Sequence, residues 1–271
     1  MPAVGFIGAG AMGEALIKGL TTAGKVGPTE IMAADVSSER RAYLAERYGV
    51  AVVEANREVA RNCPTVVLAV KPQVAGEVLA EVGPVLSAGQ LLLSVVAGWT
   101  IARLQKYVSP QAAIIRAMPN TPCLIGRGIT ALSYGSRISV EHKEEARRVF
   151  GAVGEVVELA EEYLDAVTAV SGCGPAYAFL IIEAWVEAGV KLGLPRPVAR
   201  RLALRTLEGA AAMALETEAH PAQLREMVTS PGGATAYALA VMEEAGLRGT
   251  WLRAVEAAWR RAGELGREGE E

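Results

Sequence analysis

Gly8-Ala9-Gly10-Ala11-Met12-Gly13 has the spacing of a main chain that wraps a pyrophosphate. The first glycine permits a tight turn, the second lets the backbone approach the ligand, and the third lets the next helix pack closely. An apolar run over residues 3–7 precedes the motif and a helix-forming run over 11–23 follows it. The free N–H groups opening that helix would then meet phosphate charge. Asp35 follows Gly13 by 22 positions, at the end of a second apolar run, where its carboxylate could accept both ribose hydroxyls of an adenosine. It could equally cap the next helix. A carboxylate there repels a 2′-phosphate and favours NAD, whereas Arg40 and Arg41 could offset the repulsion or simply lie on a solvated helix face. The choice between NADH and NADPH stays open at this point.

Three further stretches carry potential chemistry. Ser230-Pro231-Gly232-Gly233-Ala234-Thr235 lies between two helical segments, so its turn and the following helix start would offer N–H groups to a small carboxylate. Thr235 adds a hydroxyl for a nearby heteroatom; the alternative is an ordinary turn with Ser230 and Thr235 as caps. Ser171-Gly172-Cys173-Gly174-Pro175 opens a long apolar helix, with small residues that suit helix packing or a close cofactor. Cys173 reads as a small apolar filler. Arg116 to Pro122 follows a strand, and Asn120 there offers an amide to a nicotinamide carboxamide, or else belongs to a proline-stiffened turn.

These residues need a scaffold. Strand-like runs at residues 3–7, 31–34, 50–53, 65–70, 91–96 and 113–117 alternate with helical segments that include 38–48, closed by Gly49, and 100–107. Such alternation predicts an α/β fold, a Rossmann-type doubly wound and mostly parallel sheet. Beyond residue 160 strand signals vanish. Helical patterns run through 200–216, started by Pro195 and Pro197, and through 222–229, 234–245 and 250–265. We therefore expect a dinucleotide-binding domain over residues 1–160 and an all-helical domain over 161–271. Ala210-Ala211-Ala212 suits close helix packing, within the chain or between subunits.

Composition narrows the function classes. A chain of 271 residues at about 100–200 per domain suggests two domains. The net charge of −3 leaves no basic surplus for a nucleic-acid backbone. Cys63, Cys123 and Cys173 are far apart in sequence and, with only His142 and His220, argue against a disulfide framework or a metal site and for a reducing compartment. The N-terminus lacks the basic and apolar regions of a signal peptide, so a cytoplasmic location is expected. The longest uncharged run, 166–182, is at the lower limit for a membrane span and holds Gly172, Gly174 and Pro175; a helix or helix pair buried in protein is the expectation, with no membrane partner. The acidic end, from Arg267 on, is expected to fray.

Taken together, the motifs resemble the pyrroline-5-carboxylate reductase family from end to end. The resemblance rests on Gly5-Phe6-Ile7-Gly8-Ala9-Gly10, Ala69-Val70-Lys71-Pro72, Met118-Pro119-Asn120-Thr121-Pro122 and Ser171 to Phe179. Most specific is the stretch from His220-Pro221 through Leu224 and Val228 to Ser230-Pro231-Gly232-Gly233-Ala234-Thr235. It implies a Rossmann domain followed by a helical domain that dimerises, with dimers assembling into decamers. It implies NADPH or NADH as cofactor, contacted by Gly8 to Gly13, Asp35, Asn56 and Ala69 to Pro72. It implies 1-pyrroline-5-carboxylate as substrate and L-proline as product, held by the loop from Val228 to Thr235. Ser230 and the backbone at Gly233 and Ala234 would take the carboxylate, and Thr235 would meet the ring nitrogen. Cys173 stands where the family usually has Ser, and Asp35 where many members have a small polar residue suited to NADPH. Met227 is assigned no contact.

A protonated imine is already electrophilic, so hydride transfer to its C=N carbon needs positioning and a dry site more than a strong general acid. Two other readings fit parts of the sequence. A 3-hydroxyacid dehydrogenase of similar layout uses a Lys with an Asn four residues on, but Lys191 is followed four later by Pro195; an imine reductase remains in that class. A sensor that binds NAD(H) without turnover would need a partner surface or a basic helix.

Overall fold

A computed structural model describes residues 2–267; the acidic run beyond them lies outside the described residues. Its strands are β1 (Val4–Ile7), β2 (Ile31–Ala34), β3 (Ala51–Val53), β4 (Thr65–Leu68), β5 (Leu91–Ser94), β6 (Ala113–Met118), β7 (Gly128–Tyr134) and β8 (Gly154–Glu158). They form one sheet in the order β3-β2-β1-β4-β5-β6-β7-β8. Every pair is parallel except β6 with β7. The first six strands follow the two-halved order of a dinucleotide-binding sheet, with the switch in direction between β1 and β4.

Helices α1 (Ala11–Thr22), α2 (Ser38–Tyr48), α3 (Asn56–Asn62), α4 (Ala75–Val82), α5 (Ile101–Gln105) and α6 (Val140–Phe150) connect these strands. Central strands such as VGFI in β1 and LLLS in β5 are buried on both faces, which is why they read as unbroken apolar runs. Alternate residues serve opposite cores. Phe6, Val67, Leu93 and Ile115 pack with Leu16, Ile17 and Leu20 of α1, Leu44 of α2 and Phe150 of α6. Ile7, Leu68, Leu92 and Ile114 pack with Val59 of α3, Leu79 of α4 and Leu104 of α5. Burying one such side chain contributes roughly 1.5–3 kcal/mol, so these two layers fix the strand ends that carry the site.

Strands β7 and β8 are absent from the sequence-based reading. β7 dilutes its apolar residues with Gly, Thr and Ser. β8 is a five-residue edge strand with Glu155 and Glu158 exposed, the charged composition that protects an edge.

The remaining elements are helical: α7 (Leu164–Val167), a π-helical turn (Thr168–Gly172), α8 (Gly174–Lys191), α9 (Arg196–Thr217), α10 (Pro221–Met227), α11 (Ala234–Glu244) and α12 (Leu247–Arg267). By contacts the described chain forms two compact units, one reaching Cys173 and joined by residues from Ala258 onward, the other Gly174–Ala257. In the second unit α8 and α9 pack through Val186, Ala199 and Ala203. A Cβ on Gly189 would come within 2.9 Å of the Ala199 Cβ, so the absent side chain is what allows that approach.

Within one chain the apolar stretch 166–182 is only partly covered: Ala169 is buried and most of the other residues are half-buried. The helical run Glu161–Lys191 is long and apolar enough for a membrane span by composition, yet few residues of its most apolar part are fully buried. Phe179 and Leu180 are 65% and 67% exposed, and Trp185 45%. Sequence apolarity shows that a surface wants cover, but does not name the molecule that covers it.

Candidate active site

The glycine motif sits where β1 turns into α1. Gly8 has φ +86°, a conformation that favours glycine, and a Cβ there would come within 2.7 Å of the Ala69 carbonyl oxygen. A Cβ on Gly13 would lie 2.5 Å from the Gly8 oxygen. Both glycines are therefore required by the fold. Gly10 is different. Its φ of −64° suits any residue, and a Cβ there would meet nothing within 4 Å. The protein itself gives no reason for glycine at this position; a ligand lying on the main chain does. No side chain caps α1, which leaves its first N–H groups beside that open space. The cradle fits a pyrophosphate.

The rest of the cradle is gripped from β2 and α2. Asp35, just past the end of β2, accepts the Ala9 N–H on Oδ2 (2.9 Å) and the Ser37 N–H on Oδ1 (2.9 Å). Arg40 donates from Nε to the Ala9 carbonyl (2.6 Å) and from Nη2 to Glu14. Glu14, in the first turn of α1, also receives the hydroxyls of Tyr43 (3.0 Å) and Tyr48 (2.7 Å). Burial alone would raise the Glu14 pKa. The hydrogen bonds from Arg40, Tyr48 and Tyr43 and the Arg40 charge outweigh it and hold the carboxyl below its ordinary value. Arg41 reaches the carbonyls of Asp35 (2.7 Å) and Val36 (3.2 Å) and pairs with Glu54 (3.1 Å). The Glu14–Tyr43–Tyr48 cluster is missing from the sequence reading. Its members are 29 and 34 residues from Glu14 and meet only because α1 and α2 pack together.

The neighbouring strand ends complete this edge of the sheet. Ala69 to Pro72 continue β4, with the Ala69 N–H donating to Ile7 O (2.8 Å). The buried Trp99 donates from its indole to the Pro72 carbonyl (3.3 Å), steadying a loop that its distant sequence position did not connect to it. Asn56 opens α3 and donates to Glu81 (3.1 Å). Asn120, expected to offer its amide outward, is partnered within the protein. Its Oδ1 accepts the Ile129 N–H (3.0 Å), and its Nδ2 lies 3.3 Å from the Ser171 hydroxyl and 3.4 Å from the Ser171 carbonyl. That joins the loop after β6 to the π-helical turn. Arg116, buried within β6, pairs with Glu161 (3.1 Å).

In the helical unit, Ser230 to Thr235 form a turn running into α11. The Gly233 N–H donates to the Ser230 carbonyl (3.0 Å), closing the turn. Of the two backbone donors expected there, Gly233 is thus engaged internally. Ala234 N–H, with Thr235 N–H beside it, opens α11, whose start no side chain caps. The Ser230 hydroxyl packs close to Gly233, where a Cβ would come within 2.3 Å of it. Val228, Gly232 and Thr235 are exposed, and Gly232 takes φ +67°. An uncapped helix start beside two hydroxyls suits a carboxylate. His220 accepts the Ala222 N–H on Nδ1 (3.2 Å) and caps α10, a structural part.

Both parts of the chain match known protein families. Residues 161–265 match the model for pyrroline-5-carboxylate reductase dimerisation, and residues 3–98 the model for NADP oxidoreductase, coenzyme F420-dependent. The pyrroline-5-carboxylate reductase of Synechocystis sp. is 45% identical over 97% of this chain and 98% of its own length. That of Pseudomonas aeruginosa is 42% identical over 97% of each. The solved structure of a pyrroline-5-carboxylate reductase from Coxiella burnetii aligns with TM-score 0.92 at 39% identity, covering 97% of this chain and 98% of that one. The pyrroline carboxylate reductase of Plasmodium falciparum with NADP bound aligns with TM-score 0.89 at 35% identity, covering 98% of each. With cradle and helical unit both matched over nearly their whole length, the chain belongs to the pyrroline-5-carboxylate reductase family.

Proposed function

We propose that this chain reduces 1-pyrroline-5-carboxylate to L-proline with NAD(P)H, the final step of proline biosynthesis. The observation that carries this reading is the pairing, in one chain, of a cradle left open at Gly10 with an uncapped helix start behind Ser230-Pro231-Gly232-Gly233. Full-length similarity to reductases of this name supports the substrate.

When bound, the nicotinamide cofactor supplies the hydride. The chain's own residues position and shield. Gly8 to Gly13 hold the pyrophosphate, Asp35 the adenosine ribose, and Asn56 and Ala69 to Pro72 line the neighbouring strand ends. Asn120 acts by holding the loop after β6 rather than by direct donation. The Ser230 hydroxyl and the Ala234 and Thr235 N–H groups take the substrate carboxylate, with Val228, Gly232 and Gly233 shaping the loop. Thr235 Oγ1 orients the ring nitrogen. The C=N carbon gains hydride, and the nitrogen of the protonated imine becomes a secondary amine. A hydroxyl of ordinary acidity is a poor proton source, so the proton comes with the substrate or from water.

Thr235→Ala is expected to lower kcat/KM about tenfold, the worth of one well-placed hydrogen bond, with cofactor affinity unchanged. An unaltered kcat/KM removes Thr235 from the chemistry. The assembly we propose is a cytoplasmic homodimer built through the helical unit, such dimers closing into a decamer. The uncovered apolar face of α8 and the dimerisation match support a second copy as its cover.

A further inference from the structure

The adenosine end of the cradle carries a further specification. In a sheet of this order the ribose lies beyond the end of the second strand, where a carboxylate accepts a 2′-hydroxyl and an arginine accommodates a 2′-phosphate. Here Asp35 directly follows the strand, and it lies in no ion pair with a Lys or Arg among the described residues. Its oxygens accept two backbone N–H bonds, which keep it in place and leave its charge unpaired. The two cations at hand are both committed. Arg40 is held by the Ala9 carbonyl and Glu14, and Arg41 by two carbonyls and Glu54. Glu39, exposed in the first turn of α2, adds another negative charge. The N-terminus of α2 would favour an anion, but Ser37 already caps it through the Arg40 N–H (3.2 Å). Four carboxylates thus stand against two guanidinium groups that are paired within the protein.

We infer that Asp35, with Arg40 and Arg41 sequestered by Glu14 and Glu54, makes this enzyme select NADH over NADPH. The inference rests on the dinucleotide reading above and sets it apart from the relative solved with NADP bound.

The test is calorimetric titration of the intact protein with NADH, NADPH, ADP and 2′,5′-ADP, in the absence of the imine, alongside the two kcat/KM values. NADH is expected to bind about tenfold or more tighter than NADPH, the scale of one like-charge contact at a partly exposed site, and ADP tighter than 2′,5′-ADP by the same ratio. Asp35→Ser is expected to shrink or invert both ratios. Because Asp35 also holds Ala9, Glu54→Gln is the second variant. It leaves the cradle untouched, removes the one negative charge paired with Arg41 while its bonds to the Asp35 and Val36 carbonyls remain, and is expected to strengthen 2′,5′-ADP without changing ADP. Equal or tighter binding of the 2′-phosphorylated ligands by the unaltered protein overturns the inference, as do unchanged ratios in both variants. Absence of any dinucleotide binding would instead defeat the reading on which it rests, and absence of turnover with the ratios intact would defeat only the substrate.

Discussion

At the scale of single residues, the three glycines of the cradle separate folding from binding. Gly13 is pressed against the Gly8 carbonyl, while Gly10 faces open space. Gly13→Ala is therefore expected to cost about 1–3 kcal/mol of stability through overpacking. Gly10→Val is expected to cost no more than about 1 kcal/mol of stability, the loss of a glycine N-cap, and to weaken NADH by about a hundredfold, some 2.7 kcal/mol. Thermal denaturation and cofactor titration of the two variants check this. A Gly10→Val protein that unfolds, or that binds as before, contradicts the assignment of that space to the ligand. The motif itself was legible in sequence, because strand, glycines and acid recur at fixed spacing. The partners of its members were not. Asp35 was readable as a ribose ligand or a cap, and only the packed structure shows it holding both Ala9 and Ser37. Asn120 likewise has an amide whose availability depends on Ile129 and Ser171, and on a π-helical turn that sequence periodicity does not signal.

At the scale of elements, α1 and α2 are tied by one carboxylate. The cluster of Glu14 with Arg40, Tyr43 and Tyr48 links the first turn of α1 to the helix that follows Asp35, and Arg40 passes that constraint to Ala9. Since the folded state holds the Glu14 pKa below its ordinary 4.5, ionised Glu14 stabilises the fold above that pH. The contribution is lost as pH falls through the lower folded-state value. Glu14→Gln is expected to destabilise the protein by about 1–2 kcal/mol at pH 7, with the gap to wild type closing as pH falls below 4.5. Denaturant titrations across that pH range check it; a gap that persists in acid would contradict the ionised role. Buried strands β1 to β6 and helices such as α2 were legible because double-sided burial and a 3.6-residue period leave clear patterns. β7 and β8 were not, since mixed or charged edge composition hides a strand whose stability comes from its neighbour.

At the scale of the whole molecule, the helical unit cannot account for its own sequence. In Gly174–Ala257 only Val186, Ala199 and Ala203 are buried, while Phe179, Leu180, Tyr237 and Leu252 are each at least 65% exposed. Such a surface in water requires cover. We expect sedimentation to give a dimer or a multiple of it, and the melting temperature to rise with protein concentration, as mass action requires. A stable monomer at micromolar concentration would contradict this. The all-helical character was legible in the sequence; that its apolar residues face outward was not, because a helix meant for a subunit interface and one meant for a core have the same composition.

The most direct test of the account mixes the purified protein with DL-pyrroline-5-carboxylate and either NADH or NADPH. Absorbance near 340 nm is followed (a wavelength set by the reduced nicotinamide) and the product is identified by NMR. Imine-dependent loss of absorbance with stoichiometric L-proline is the expected result. Cofactor binding without any proline formed would contradict it.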